Sequence, residues 1–256
     1  MSWQQSTMEQ RKALLKKTRS YPRPLSFCWR STHFTAYIIG GVTFLFGSLC
    51  YFTVGPLAGD YEAGGYLFTV GSVAFLFADI FEWNMNNRVG CCDTVDERVE
   101  WESKNSGHAR SLFWCPPSQG WQRAENGINF SYSAFGSFLY LVGSILFIPE
   151  LNQITNGTWV FIVGSAVIFT SQSWKLYRYE SFIDDSPAAL IDLFAGLGGL
   201  FYLVGSVFFL PQYDVSDAIT NKAATWFTSG GAAFTLSGIA MLYRYFVASP
   251  PMYETS

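Results

Sequence analysis

Charge is what this chain has least of. Only 14% of its 256 residues are Asp, Glu, Lys or Arg, where soluble domains carry about 25%. That deficit argues against an ordinary cytosolic domain. Histidine occurs twice, as His33 and His108, so no pair of mid-membrane haem ligands is available. The five cysteines have no regular spacing and imply no disulfide framework. A zinc site from Cys91, Cys92, His108 and Cys115 lacks the usual C-x-x-C pattern. The sequence has no phosphate-binding loop, no G-x-S-x-G, no H-E-x-x-H and no c-type haem signature. Without a nucleophile–base constellation the expectation is no enzyme and no cofactor. The first 32 residues lack an apolar core segment, so no cleavable signal peptide is expected. A short basic transit sequence is the alternative, since Glu9 is the only acid there.

What is present is apolar. Half of the residues are hydrophobic, with 24 Phe and 23 Gly, a composition that suits a membrane. A bilayer core takes about 20 apolar residues per helix, and six stretches qualify: 33–54, 62–83, 129–149, 157–178, 187–211 and 223–245. Short links such as "GPLAGD" and "PELNQITN" join them in pairs, so each pair reads as a helical hairpin. Fifteen of the sixteen Lys and Arg residues fall on one side of these spans, leaving Lys222 alone on the other. The positive-inside rule then places both termini in the cytoplasm or its equivalent. Trp83, Trp174, Tyr177, Tyr243 and Tyr245 would mark one interface; Tyr66, Trp159 and Trp226 would mark the other.

The phrase "LYLVGSILFIP" at 139–149 returns as "FYLVGSVFFLP" at 201–211. Aligned on the Gly-Ser pair, the first helices superpose Gly47, Gly143 and Gly205, and seven residues earlier Gly40, Gly136 and Gly198. The second helices superpose Gly64 with Gly157 and Ala223, and Gly71 with Gly164 and Gly230. Phe68, Phe161 and Phe227 share one position; Phe75, Ile168 and Phe234 share another. The expected fold is an all-α membrane protein of six transmembrane helices, built as three repeated hairpins with a pseudo-threefold arrangement. Residues seven apart lie on one helix face. Small residues there let helices approach closely in lipid, so this face reads as a packing seam. A narrow hydroxyl-lined path is the alternative.

The division expected is a basic tail over 1–32, a hairpin over 33–83 and a cytosolic insertion over 84–128. Further hairpins over 129–178 and 187–246 follow, then a tail over 247–256. The insertion carries Trp101, Trp114 and Trp121 among mixed charges, which suits contact with a protein partner or the bilayer surface. Cys91 and Cys92 are juxtamembrane palmitoylation candidates. Basic residues sit along the membrane edge as topology requires, so nucleic acid is not implied.

Hairpins with Gly-Ser pairs that close on "KLYRYE" (175–180) or "MLYRYF" (241–246) resemble the YrhK-like family of small membrane proteins. The likeness is best over 130–180 and 190–246; the first hairpin reads "FEWNMN" in place of the aromatic-Arg close. It implies single-hairpin units, here three in one chain, and no known activity.

Intramembrane charge marks the candidate polar site: Asp79, Glu82, Gln172, Lys175 and Asp192. Asp79 falls roughly 10 Å from the centre of its helix, counted at 1.5 Å per residue. Its repeat matches are Gln172 and Gly238; those of Glu82 are Lys175 and Met241. One reading is an ion pair from Asp79 or Glu82 to Lys175, Arg178 or Arg244, the other a proton or cation site. Asp192 would follow a helix start at Ser186-Pro187 and pair with a basic close. A non-enzymatic scaffold or accessory subunit is the function expected, with a small channel or transporter as the alternative.

Overall fold

The computed structural model describes residues 27–89, 121–177 and 186–248, without the side chains of 84–89 and 121–127. It is all-helical there. Six α-helices follow one another: α1 (Phe27–Leu49), α2 (Tyr61–Val89), α3 (Trp121–Leu146), α4 (Ile154–Tyr177), α5 (Ser186–Phe208) and α6 (Asp217–Tyr243). A π-helical turn, Arg244–Ala248, ends α6. Each helix packs on the next, and α6 returns to pack on α1, so the six form a closed ring.

The boundaries differ from the expected ones where polar residues join a helix. α1 starts at Phe27, inside the presumed tail, and α6 starts at Asp217 rather than at 223. Asp217 lies in that first turn, where an acidic group favours the positive end of the helix dipole. α2 runs on to Val89 and α3 reaches back to Trp121, so both ends of the presumed 84–128 loop are helical. Cys91, Cys92, His108, Cys115, Trp101, Trp114, Arg178 and residues 1–26 and 249–256 lie outside the described residues.

Tight turns close the hairpins. Between α1 and α2, Gly59 at φ 79° donates its N–H to the carbonyls of Cys50 and Phe52. Only glycine takes that conformation without strain. Asp60 then caps α2 by accepting from the Ala63 N–H at 3.1 Å. Between α3 and α4, Pro149–Leu151 form a 3₁₀ turn ended by Asn152 in the left-handed region, which asparagine tolerates. At this same end Asn221 of α6 exchanges two 2.8 Å hydrogen bonds with Thr53, tying the last helix to the first loop.

Aromatic rings fill the middle of the ring of helices. Tyr51, Phe147 and Phe209 form a triangle with centroids 5.5–5.8 Å apart. Further along, Phe68 lies 5.9 Å from Phe161 and 6.2 Å from Phe227. Phe44, Tyr140 and Tyr202 form the next triangle, at 5.1–6.0 Å. Phe75 and Phe234, 5.0 Å apart, and Ile168 make the last apolar layer. All of these side chains are buried, and their spacing suits edge and offset-stacked contacts worth about 0.5–1.5 kcal/mol per pair.

The glycines divide into two kinds. The first faces the partner helix of its own hairpin and receives a ring or branched side chain. A Cβ on Gly40, Gly136 or Gly198 would lie 2.6–2.7 Å from Phe75, Ile168 or Phe234. One on Gly47, Gly143 or Gly205 would lie 2.6–2.9 Å from Phe68, Phe161 or Phe227. In return Gly71, Gly164 and Gly230 receive Phe44, Tyr140 and Tyr202. The second kind sits one residue on and faces the next hairpin, where main chains touch. A Cβ on Gly41 would be 2.8 Å from the Thr235 nitrogen, and one on Gly231 2.5 Å from the Leu45 Cα. Gly199 meets the Phe169 nitrogen at 3.0 Å in the same way.

Outward, five helices are long and apolar enough to cross a membrane: α1, residues 61–83 of α2, α4, α5 and α6 with its π turn. The exposed aromatics Tyr66, Trp159, Trp174, Tyr177 and Tyr243 stand near helix ends, as interface residues do. Tyr245, expected among them, is instead buried, because the wider π turn rotates it inward.

The two kinds of glycine predict different mutant behaviour. Gly231→Ala should lower the melting temperature in detergent, since backbone cannot yield to a new methyl and overpacking costs about 1–3 kcal/mol. Gly196, whose nearest neighbour would be the Gln172 Cβ at 3.3 Å, should accept Ala with no loss or a gain of up to ~1 kcal/mol from helix propensity. Equal destabilisation of the two variants would contradict the backbone contact.

Candidate functional site

The polar residues gather at the end of the bundle that carries the lysines and arginines. Beyond Phe75, Ile168 and Phe234 the apolar filling gives way to a layer to which every helix contributes. α1 brings Arg30, His33 and Tyr37; α2 brings Asp79 and Glu82. α3 adds Asn129, Ser133 and Ser137, and α4 adds Ser171, Gln172 and Lys175. Asp192 comes from α5, Ser237 from α6 and Tyr245 from the π turn that follows it.

Lys175 is the hub. Its Nζ lies 3.7 Å from Glu82 and 4.0 Å from Asp192, and all three side chains are no more than a quarter exposed. The ammonium also stands 5.0 Å from the ring centre of Phe130, a cation–π geometry. One lysine thus joins α2, α4 and α5. This realises the expected pairing for Glu82, and for Asp192 through the lysine of "KLYRYE". Asp79 behaves differently. Its two oxygens accept hydrogen bonds from Ser133, at 3.0 Å, and from Ser137. Among the described residues it makes no ion pair, and its hydrogen-bond partners are hydroxyls from α3; Arg178, one of the expected partners, lies outside the described residues. The physical reason is direction: Asp79 faces the α2–α3 seam, while Glu82, one turn on, reaches toward α4. Gln172 is buried beside Gly196 of α5, and its amide oxygen has no hydrogen-bond partner.

Around this hub the remaining polar groups engage one another. Asn129 donates to the Ser171 carbonyl at 3.1 Å and accepts from the Ser171 hydroxyl at 3.1 Å. Ser237 donates to the Ile191 carbonyl at 2.8 Å and lies 3.3 Å from the Tyr37 hydroxyl. His33, only 2% exposed, shares a 2.9 Å hydrogen bond between Nδ1 and the Tyr245 hydroxyl, with Trp29 against its ring at 4.9 Å. Arg30 donates to the Tyr245 carbonyl at 2.7 Å. In a medium without water each such group needs an internal partner, and here nearly all find one across a helix seam.

The hydroxyls of the Gly-Ser pairs lie deeper. Ser48 bonds Tyr202 at 2.8 Å, Ser144 bonds Ser72 at 2.8 Å and Tyr140 bonds Ser165 at 3.0 Å. Ser206 has no partner. Ser48, Ser72, Ser144 and Ser165 bridge helices within packed seams, and all five serines are buried.

Sequence reasoning missed His33, Tyr37, Ser133, Ser137 and Tyr245 as members of the layer. Ser133 and Ser137 had a signal: they are four apart and stand where the repeat elsewhere has Tyr37 or Ala195, and Gly41 or Gly199. Among the described residues no group of three His, Cys, Asp or Glu is placed to hold a metal ion.

Removing the hub should be felt strongly. Lys175→Met leaves Glu82 and Asp192 without their shared ammonium, and breaking a buried pair costs about 3–5 kcal/mol. Melting in detergent should fall sharply, and adding Glu82→Gln to Lys175→Met should recover part of the loss. A double variant no more stable than Lys175→Met would show that Glu82 is not held by the lysine. Nothing outside the chain bears on this layer: no family model, no curated protein and no solved structure matches it.

Proposed function

We propose that the chain is a non-enzymatic, six-span membrane scaffold or accessory subunit of YrhK-like type, with three fused hairpins about a pseudo-threefold axis and both termini in the cytoplasm. The observation that carries this reading is the filled axis. Four successive layers of rings and Ile168 occupy the place where a pore would run. A conduction path needs water or polar groups continuous across the membrane, and the aromatic layers offer neither.

Two further observations support the finer parts of the reading. Matched repeat positions meet in the same layers: 51 with 147 and 209, 44 with 140 and 202. The sixth span is α3, the helix whose average apolarity falls short. Its polar residues Asn129, Ser133, Ser137 and Ser144 are buried, while Ile128, Tyr132, Phe135, Phe138 and Ile145 are exposed. The face it offers to lipid is thus as apolar as that of its neighbours, and its polar face meets protein. That the chain is not an enzyme rests on the sequence, which lacks a nucleophile–base constellation. A protein partner through 84–128 belongs to the same proposal.

The transporter alternative draws on one observation, the Asp79 carboxylate in the α2–α3 seam. Reconstitution separates the two. Purified protein in proteoliposomes should pass no sodium, potassium or protons above empty liposomes, and tags on both termini should be inaccessible from outside intact cells. A flux that disappears in Asp79→Asn would overturn the scaffold reading.

A further inference from the structure

We propose that the Lys/Arg-rich stretch from Arg11 to Arg30, leading into α1, binds the anionic phospholipid headgroups of the membrane surface beside it. The inference rests on the membrane-spanning reading above, because it is α1 as a span that holds this stretch against a headgroup layer.

The charge is lopsided. Residues 1–26 carry Arg11, Lys12, Lys16, Lys17, Arg19 and Arg23 against one acid, Glu9. Residues 84–128, on the same side in that reading, carry Arg88, Arg98, Lys104, Arg110 and Arg123 against Asp93, Asp96, Glu97, Glu100, Glu102 and Glu125. Topology does not require this difference. Orientation follows the number of Lys and Arg residues and is nearly indifferent to Asp and Glu, so both stretches serve it alike. A charged surface responds to net charge instead. Only the first stretch has a positive excess to offer, and the cytoplasmic leaflet is negative.

The structure fixes where that charge is held. α1 begins at Phe27, and Phe27–Leu49 is long and apolar enough to cross a membrane. Arg23 lies four residues before it, at most about 14 Å away at full extension, so it stays close to the headgroup layer. Lys17 and Arg19 follow within roughly 35 Å. Phe27 itself is 65% exposed, an aromatic side chain at the depth where rings meet headgroups. The last charge of the stretch lies inside α1. Arg30 donates to the Tyr245 carbonyl at 2.7 Å, and its guanidinium stands 5.5 Å from the centre of the Phe246 ring. It is thereby tied to the bundle at the end that carries the polar layer.

Tethering selects the partner. A span keeps lipid beside the stretch at high effective concentration, an advantage that no soluble polyanion shares. Clusters of about four to eight Lys and Arg next to a span are the pattern that anionic headgroups attract.

The test uses the purified full chain in nanodiscs of phosphatidylcholine alone or with phosphatidylserine, digested with trypsin. Cleavage within residues 11–23 should slow about tenfold or more in the anionic discs and recover in high salt, which screens surface charge. Cleavage within 84–128, read in the same digest, should be nearly unchanged. Lys12→Gln, Lys16→Gln and Lys17→Gln together leave Arg11, Arg19 and Arg23 as cleavage sites, and most of the protection there should be lost. Equal cleavage in the two kinds of disc, or equal slowing within 84–128, would overturn the proposal. So would protection that survives high salt or the triple variant, or that inorganic phosphate gives in neutral discs. A mature protein that begins after Arg23 would overturn it too, because the stretch would then be a removed transit sequence. Both faces of a nanodisc are open, so these outcomes do not depend on which side the termini occupy. A chain that does not enter the discs would overturn the membrane-spanning reading and the proposal with it, whereas the scaffold reading fails separately, by ion flux in proteoliposomes.

Discussion

The structure depends on rings seated in glycine notches. Lipid is as apolar as a phenylalanine, so six helices gain nothing by merely hiding hydrophobic surface from it. They associate through close contact, and a single carbon pair contributes only ~0.1–0.2 kcal/mol of dispersion, so many contacts must form at once. A glycine supplies the notch and an aromatic ring the bulk that fills it. Phe68 over Gly47, Phe161 over Gly143 and Phe227 over Gly205 are three uses of one solution. Because each ring reaches past its glycine toward the axis, the same residues that hold a hairpin together also fill the centre of the bundle.

That filling leaves the polar chemistry on one side. The layer around Lys175 sits beyond the last rings, toward the end where topology puts the basic residues. Here the sequence matches between the hairpins diverge. Lys175 has Glu82 and Met241 as its repeat matches, and Asp192 has Phe34 and Phe130. An ionic junction therefore sets α2, α4 and α5 apart from the other helices. A buried ion pair adds little net stability over apolar packing but can select one arrangement. Among helices joined by similar glycine contacts, selection is what a unique arrangement requires.

The all-helical class with long apolar helices was legible in the sequence, and the reason is periodicity. Seven-residue glycine spacing marks a helix face, and apolar runs of about 20 residues mark helices long enough to span a membrane. The second glycine of each Gly-Gly pair was not legible. Gly41, Gly199 and Gly231 look redundant beside their neighbours, yet they face a different hairpin and set backbone contacts. The start of α1 at Phe27 and of α6 at Asp217 escaped because hydrophobic runs end before helices do. Glu82 with Lys175 was foreseeable from opposite charge at matched depth. Asp79 with Ser133 and Ser137 was not, since serine at that spacing reads first as a small packing residue. His33 was considered only as a haem ligand, and its partner Tyr245 comes from the π turn after α6, far away in sequence.

The central claim, that ring and glycine act as one unit, is open to a double-mutant cycle on Gly205 and Phe227. A Cβ at Gly205 would lie 2.6 Å from the Phe227 ring, so Gly205→Ala alone should destabilise by overpacking. Phe227→Leu alone should destabilise by leaving space. Measured as unfolding free energies in detergent, the double variant should fall short of the sum of the two losses by about 1 kcal/mol or more, within the range seen for contacting residues. Strictly additive losses would contradict the account, because the ring would then not be seated on that glycine.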